Sequence, residues 1–286
     1  MKKAVLLNNG VAMPPIGYGV FRMTDPEVCE EAVVQAIQAG YRFIDTAAAY
    51  GNEEAVGRAI RRCGVPRKEL FISTKLWIPD ISYPGAKRGF AASMERLGLS
   101  YLDLYVIHQP YHDCFGAWQA MEELYEAGRI RALGVDNFPQ DRLADFQFWN
   151  RVKPAVNLLE CNPFFQREGE RAYLENQDIS LLAWSPLSAG QKDLLRNEVL
   201  CRIGAAHGKS AAQVVLRWLT ERGTVPLVKS ANPRRMRENL DIFDFALSEE
   251  EMAEIAGLDT GRTCFAPRDT GEAVTAFLVQ AAFGGK

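Results

Sequence analysis

FIDTAAAYGNEEAVG, residues 43–57, opens as a short apolar strand, runs into Asp45, and then sets Tyr50, Gly51 and Asn52 before a helix-like stretch. A carboxylate at the end of a buried strand costs free energy unless a partner meets it. Asp45 therefore predicts a cation elsewhere in the chain. The strand itself is apolar throughout, the pattern of a parallel sheet covered on both faces. Similar apolar runs recur at residues 16–20, 70–77, 102–108, 130–135, 155–160, 179–184 and 224–229. Between them lie amphipathic stretches such as EVCEEAVVQAIQAG (27–40) and SAAQVVLRWLTERG (210–223), apolar at helical spacing. Eight strand–helix units within 286 residues fit an α/β (β/α)8 TIM barrel better than an open doubly wound sheet.

Outward from these units, AVLLNNGVAMPP (4–15) reads as a β-hairpin turning at Asn9-Gly10, which makes residues 1–15 a plug across one barrel end. EGERAYLENQD (168–178) looks like an added element in the sixth connection, and extra helices are expected after strand 7 and near the C-terminus. The latter, SEEEMAEIAGLD (248–259), carries the Ser-x-x-Glu spacing of a capping box. No Pro/Gly/Ser-rich linker divides the chain, so residues 1–286 read as one domain, and the tail at 262–286 could fold over the barrel mouth.

Composition narrows the function. A net charge of −3 and a pI of about 5.8 provide no general basic field for nucleic acid or anionic lipid. No apolar run is long enough for a membrane span, and the first residues lack a signal peptide's apolar stretch. The six cysteines lie far apart without a CxxC pair, so they read as reduced thiols of a cytoplasmic protein rather than a zinc site. The expected state is a monomer acting on a small molecule.

In such barrels the chemistry sits at the C-terminal strand ends. These ends carry Asp45 and Tyr50 after strand 2, Lys75 in FISTKLW on strand 3, and His108 in LYVIHQP on strand 4. Each alone has a structural reading: a loop anchor, packing with a wet hydroxyl, a rim lysine, a satisfied core histidine. Together on consecutive strands they form a set. Tyrosine is a weak acid, titrating near pH 10. An adjacent ammonium, kept charged by Asp45, should lower that pKa. The set is then a general acid beside a carbonyl oxygen, with His108 orienting it. It holds no nucleophile, so a bound hydride donor must supply the electrons.

FIDTAAAYGNE, ISTKLW, LGLSYLDLYVIHQP, GVDNF, AWSPL and VKSANPRRMREN follow one another in the order seen in the aldo-keto reductases. Over nearly its whole length the chain resembles that family, above all its short-loop bacterial members of the 2,5-diketogluconate-reductase type. The resemblance implies NADPH-dependent reduction of aldehydes and ketones, with a catalytic tetrad of Asp45, Tyr50, Lys75 and His108. It also implies that Lys229, Ser230, Asn232 and Arg235 hold the 2′-phosphate, that Glu238 and Asn239 meet adenine, and that Trp184 stacks on nicotinamide. Ser185 and Leu187 then touch the pyrophosphate, Gly19 and Val20 approach the ribose, and Asp136 and Asn137 face the carboxamide. Independently of the family, Asn232 and Pro233 read as the N-cap and first residue of a helix whose N-terminus suits phosphate.

Phe21, Trp77 and Tyr111 are expected pocket walls with His108 at the base, while Cys114 reads as an ordinary exposed cysteine. Two departures stand out. The family usually has serine at position 136 and glutamine at 158, where this chain has Asp136 and Leu158; Asn162 replaces a usual histidine. An ionised aspartate accepts but does not donate, which predicts a nicotinamide held differently and more loosely. Rival readings are a Schiff-base lyase using Lys75, and an NADPH-binding regulatory barrel with little turnover.

Overall fold

Which strand residues point inward follows from their alternation, and that decides where the chemistry lies. In the computed structural model, which describes residues 4–191 and 193–283, β1 (Val5–Leu6) and β2 (Ala12–Met13) form an antiparallel hairpin. The ends of the expected plug and tail, residues 1–3 and 284–286, lie outside the described residues. Eight parallel strands then close a barrel: β3 (Gly17–Gly19), β4 (Phe43–Asp45), β5 (Phe71–Leu76), β6 (Leu104–Ile107), β7 (Leu133–Asp136), β8 (Val156–Glu160), β9 (Ser180–Trp184) and β10 (Val225–Val228). β10 returns to pair with β3, Leu227 opposite Gly17.

Two apolar sets divide the pleat. Phe43, Phe71, Leu104, Val106, Val156, Leu158, Leu182, Val225 and Leu227 fill the barrel interior together with Leu7 and Met13 of the hairpin. Ile44, Ile72, Tyr105, Ile107, Val135 and Leu159 point outward and pack under the helices. Side chains alternate with period two, so Phe43 inward makes Asp45 inward. By the same count Lys75, His108, Asp136, Glu160 and Trp184 all face the interior at the C-terminal ends. The hairpin closes the opposite end, turning through Gly10 at φ 82°. Gly17 is a steric necessity, because a Cβ there would collide with Leu227 and Phe43.

The covering helices are α1 (Pro26–Ala39), α2 (Glu53–Arg62), α3 (Tyr83–Leu97), α4 (Cys114–Glu126), α5 (Gln140–Trp149), α6 (Glu168–Asn176), α8 (Ala211–Glu221) and α9 (Pro233–Leu240), one after each barrel strand. EGERAYLENQD is thus not an addition: it is α6, the ordinary helix of the sixth unit. The added helices are α7 (Glu198–His207), between β9 and α8, and α10 (Glu249–Ala256), whose Ser248–Glu251 capping box forms as its spacing predicts. The tail ends in α11 (Gly271–Phe283), a helix with no buried residue. Among the described residues no helix is long and apolar enough to cross a membrane.

Candidate active site

Asp45 finds its cation one strand away. Lys75 Nζ donates to Asp45 Oδ2 at 2.6 Å and to the Thr46 carbonyl at 3.1 Å, while Ser73 Oγ donates to Asp45 Oδ1 at 2.6 Å. Burial alone would strip the charge from Lys75; Asp45, Tyr50 and Asp136 outweigh it and hold its pKa above the ordinary lysine value. A charged, paired lysine is a poor Schiff-base nucleophile. The ammonium lies 5.3 Å from the centre of the Tyr50 ring. A 3-10 turn at Ala48–Tyr50 carries Tyr50 back over the strand end, and Gly51 at φ 67° releases the chain into α2.

Tyr50 departs from expectation. Lys75 does pull its pKa down, but burial is the larger effect, and with Asp45 and Asp136 it pushes the phenol up to about 12. His108 sits edge-on to both Tyr50 and Trp77, with ring centres 5.6 Å and 5.0 Å away. Burial first, then the Lys75 and Arg268 cations, hold its pKa well below the usual imidazole value, so the ring is neutral. Its Nδ1 is buried without a hydrogen-bond partner, while Nε2 lies on the side of Asp136.

A second cluster flanks this set. Asn232 caps α9, its Oδ1 accepting from the amides of Arg234 and Arg235 at 3.0 Å and 3.2 Å, with Pro233 in the first turn. Ser230 Oγ accepts from the Asn232 amide at 3.1 Å and from Arg235 Nε at 3.4 Å. Lys229 has its pKa lowered by burial and then by Arg22, which places that arginine in the same cluster. Among the described residues Lys229, Arg235 and Arg22 have no ion pair. Arg22 escapes the sequence reading because FRM at a strand end matches no pattern; its left-handed backbone, φ 60°, is the signal that only the structure carries.

Gly19 leaves open space where a Cβ would stand, room for a ligand against the backbone. Val20, in contrast, is buried, its amide donating to Asp45 O and its carbonyl accepting from Asn52 Nδ2. Trp184 keeps a buried Nε1 without a partner and packs edge-on to Phe265 at 5.3 Å. Beyond it the backbone is left-handed at Ser185, Ser188 and Ala189, with Leu187 partly buried between them; strain of this kind gathers at functional loops. Glu238 is paired with Arg234 at 2.6 Å and Asn239 is buried beside Tyr41. Glu238 is partly exposed, whereas Asn239 is buried.

Of the expected pocket walls, Trp77 packs on His108 at 5.0 Å between ring centres and Phe21 on Tyr50 at 5.1 Å. The tail completes this wall: Phe277 of α11 lies 6.3 Å from Trp77 and 6.0 Å from Tyr111. Glu160 anchors the tail by accepting from the Cys264 amide at 2.8 Å and from the Thr263 hydroxyl. Cys114, expected at the surface, is instead buried at the start of α4, its thiol pushed up to about 11 by burial. His112 turns its Nδ1 to the Ile81 carbonyl.

The whole chain, site included, has relatives among known proteins. A family model described as the aldo/keto reductase family matches residues 10–260. The chain belongs to the aldo/keto reductase family. Among its relatives, the glyoxal reductase of Bacillus subtilis (strain 168) is 47% identical over 260 residues, covering 91% of this chain and 94% of that protein. The morphine 6-dehydrogenase of Pseudomonas putida is 44% identical over 269 residues, covering 89% and 90%. Among solved structures, the Bombyx mori aldo-keto reductase in complex with NADP superposes with a TM-score of 0.88 at 32% identity, covering 93% of this chain and 95% of that one.

The strand ends of β7 and β8 carry the two residues singled out from the sequence, Asp136 and Leu158. Asp136 is buried opposite Leu158 on the neighbouring strand. It accepts from Asn137 Nδ2 at 2.6 Å and lies 3.8 Å from His108 Nε2. Burial, reinforced by Asp45 and opposed by Lys75 and Arg268, holds its pKa well above the usual carboxylate range. Expectation had it as an acceptor alone. An aspartate carboxyl donates in its acid form and only accepts once ionised. Asn162 is used locally: its Oδ1 accepts from the Phe164 amide at 3.0 Å in the turn after β8.

Proposed function

We propose that the chain reduces aldehydes and ketones to alcohols with NADPH, using Tyr50 as the general acid. The observation that carries this reading is the Lys75 ammonium, held by Asp45 at 2.6 Å and set over the Tyr50 ring. Bound NADPH supplies the hydride. Unpaired Lys229, Arg235 and Arg22 around the N-terminus of α9 suit the extra phosphate that distinguishes NADPH from NADH. The open backbone at Gly19 and the partly exposed ring of Trp184 suit the rest of an extended dinucleotide. On this reading Asp136 and Asn137 face the carboxamide.

The proton path follows from the charges. With a pKa of about 12, Tyr50 stays protonated over the physiological range. It releases its proton only to a stronger base, and an alkoxide developing on the carbonyl carbon's oxygen is one. The phenolate left behind is stabilised by Lys75. His108, neutral and edge-on to Tyr50, has one ring N–H to donate, and donating it to the carbonyl oxygen turns that oxygen toward the proton.

The test is the loss of NADPH absorbance across a panel of aldehydes, ketones and keto-sugars, with Tyr50→Phe as control. The expected result is turnover by the native chain and a loss of roughly 10²–10⁴ in kcat for the variant, with cofactor affinity retained. Equal rates in the two proteins, or no turnover across the panel, overturn the reading.

A further inference from the structure

The strand ends of the barrel hold one acid more than the Lys75 ammonium uses. Asp45 is spent on Lys75 and Ser73, one carboxylate oxygen on each, at 2.6 Å. Glu160, at the end of β8, is spent on the Cys264 amide and the Thr263 hydroxyl. Asp136, at the end of β7, is buried, and among the described residues no lysine or arginine comes within ion-pair distance of it. Its Oδ1 accepts from Asn137 Nδ2 at 2.6 Å, while its Oδ2 is turned to His108 Nε2 at 3.8 Å, beyond hydrogen-bond reach. Leu158 stands opposite it on β8.

The groups that act on Asp136 come from every side of the mouth. Burial is the largest and favours the acid form, as does Asp45 on β4, while Lys75 on β5 and Arg268 in the tail favour the ionised form. Its remaining titratable neighbours, Tyr50 and His108, are both uncharged. The Lys75–Asp45 pair cancels, and Arg268 adds a positive charge, so the mouth has no negative charge to spare while Asp136 keeps its proton.

A ring that passes hydride to a carbonyl carbon must come within about 3–3.5 Å of that carbon. The carbonyl oxygen is held by Tyr50 and His108, and Asp136 is 3.8 Å from a ring nitrogen of His108. A nicotinamide placed for transfer therefore lies beside the Asp136 carboxyl. That ring is uncharged in NADPH and positive in NADP+. A positive charge buried without a partner is costly, and one within about 4–6 Å of a carboxyl favours its ionised form.

We propose that Asp136 senses the redox state of the cofactor: it stays a neutral acid beside the uncharged ring of NADPH and gives up its proton to solvent when the positive ring of NADP+ takes that place. Binding the oxidised cofactor then releases a proton that binding the reduced one does not, and NADP+ gains on NADPH as the pH rises. The proposal rests on the carbonyl-reduction reading for the presence of the ring; the choice of Asp136 stands on its burial and contacts.

The test titrates NADP+ and NADPH calorimetrically into the native chain, Asp136→Asn and Asp136→Ser, in Tris and in PIPES at one pH, which counts protons without turnover. The phosphates are common to both cofactors, so the difference between the two isolates the ring. The native chain is expected to release about one proton more with NADP+ than with NADPH, and its NADP+ to NADPH affinity ratio to rise by about tenfold per pH unit where that proton is linked. In both variants the difference vanishes and the ratio is flat with pH. Equal proton counts for the two cofactors in the native chain, or a difference that survives in the variants, overturns the proposal and leaves carbonyl reduction standing. Failure of the native chain to bind either cofactor overturns the carbonyl-reduction reading and the proposal with it.

Discussion

Lys75 keeps its charge in a barrel interior where burial alone would remove it, because Asp45 accepts its proton-bearing nitrogen at 2.6 Å. Breaking such a pair from one side leaves a buried, uncompensated charge, at a cost of about 3–5 kcal/mol. Lys75→Met should therefore lower the unfolding free energy by about that much in urea titrations; a change within experimental error would mean that Asp45 has another partner. Asp136 behaves in the opposite sense. Its folded pKa is raised, so its contribution to stability is full below the ordinary aspartate pKa and is lost as the pH climbs through its elevated folded value. The amide introduced by Asp136→Asn cannot ionise, so the melting temperature of that variant should gain on the native value progressively as the pH rises. Parallel melting curves across that range would contradict the assignment. At this scale the residues were legible but their energetics were not: Lys75 does pull the Tyr50 pKa down, yet burial overrides it. Desolvation depends on what the whole barrel packs around a group, and no local pattern records it.

At the scale of elements, a strand's alternation was enough to aim the site. Once Phe43 and Phe71 face inward, Asp45 and Lys75 must follow, and the apolar runs read from sequence contain all eight barrel strands to within a few residues. The cap of α9 was equally legible, since Asn-Pro at a helix start has one ordinary meaning. The role of α6 was not, because a charged nine-residue helix hides its single fully buried side chain, Leu174. Asn232 ties fold and anion site together, and two substitutions separate the two. Asn232→Ala removes the cap and should cost about 1 kcal/mol of stability. Asn232→Asp keeps the cap, so stability should hold, while the added negative charge weakens NADPH binding relative to NADH. Titrating both cofactors into both variants checks this, and an Asp variant that binds NADPH as well as the native chain would remove α9 from the phosphate site.

The whole molecule brings the tail to the mouth, and this part of the site was the least legible. Glu160 reads in NLLECNP as one more strand-end carboxylate, yet it holds the Thr263–Cys264 backbone about a hundred residues on in the chain. Arg268 and Phe277 reach the pocket only through that long-range closure, and α11 lacks the buried stripe that would have announced it. What the assembled mouth is claimed to do is pass one hydride from a nicotinamide on one side to a carbonyl held by Tyr50 and His108 on the other. The most direct measurement supplies NADPH deuterated at its donor carbon together with an aldehyde and weighs the product. The expected product is an alcohol carrying one deuterium on the former carbonyl carbon, formed by the native chain and nearly abolished in Tyr50→Phe. An alcohol without deuterium, or deuterated alcohol formed equally fast by the Tyr50→Phe variant, would contradict it.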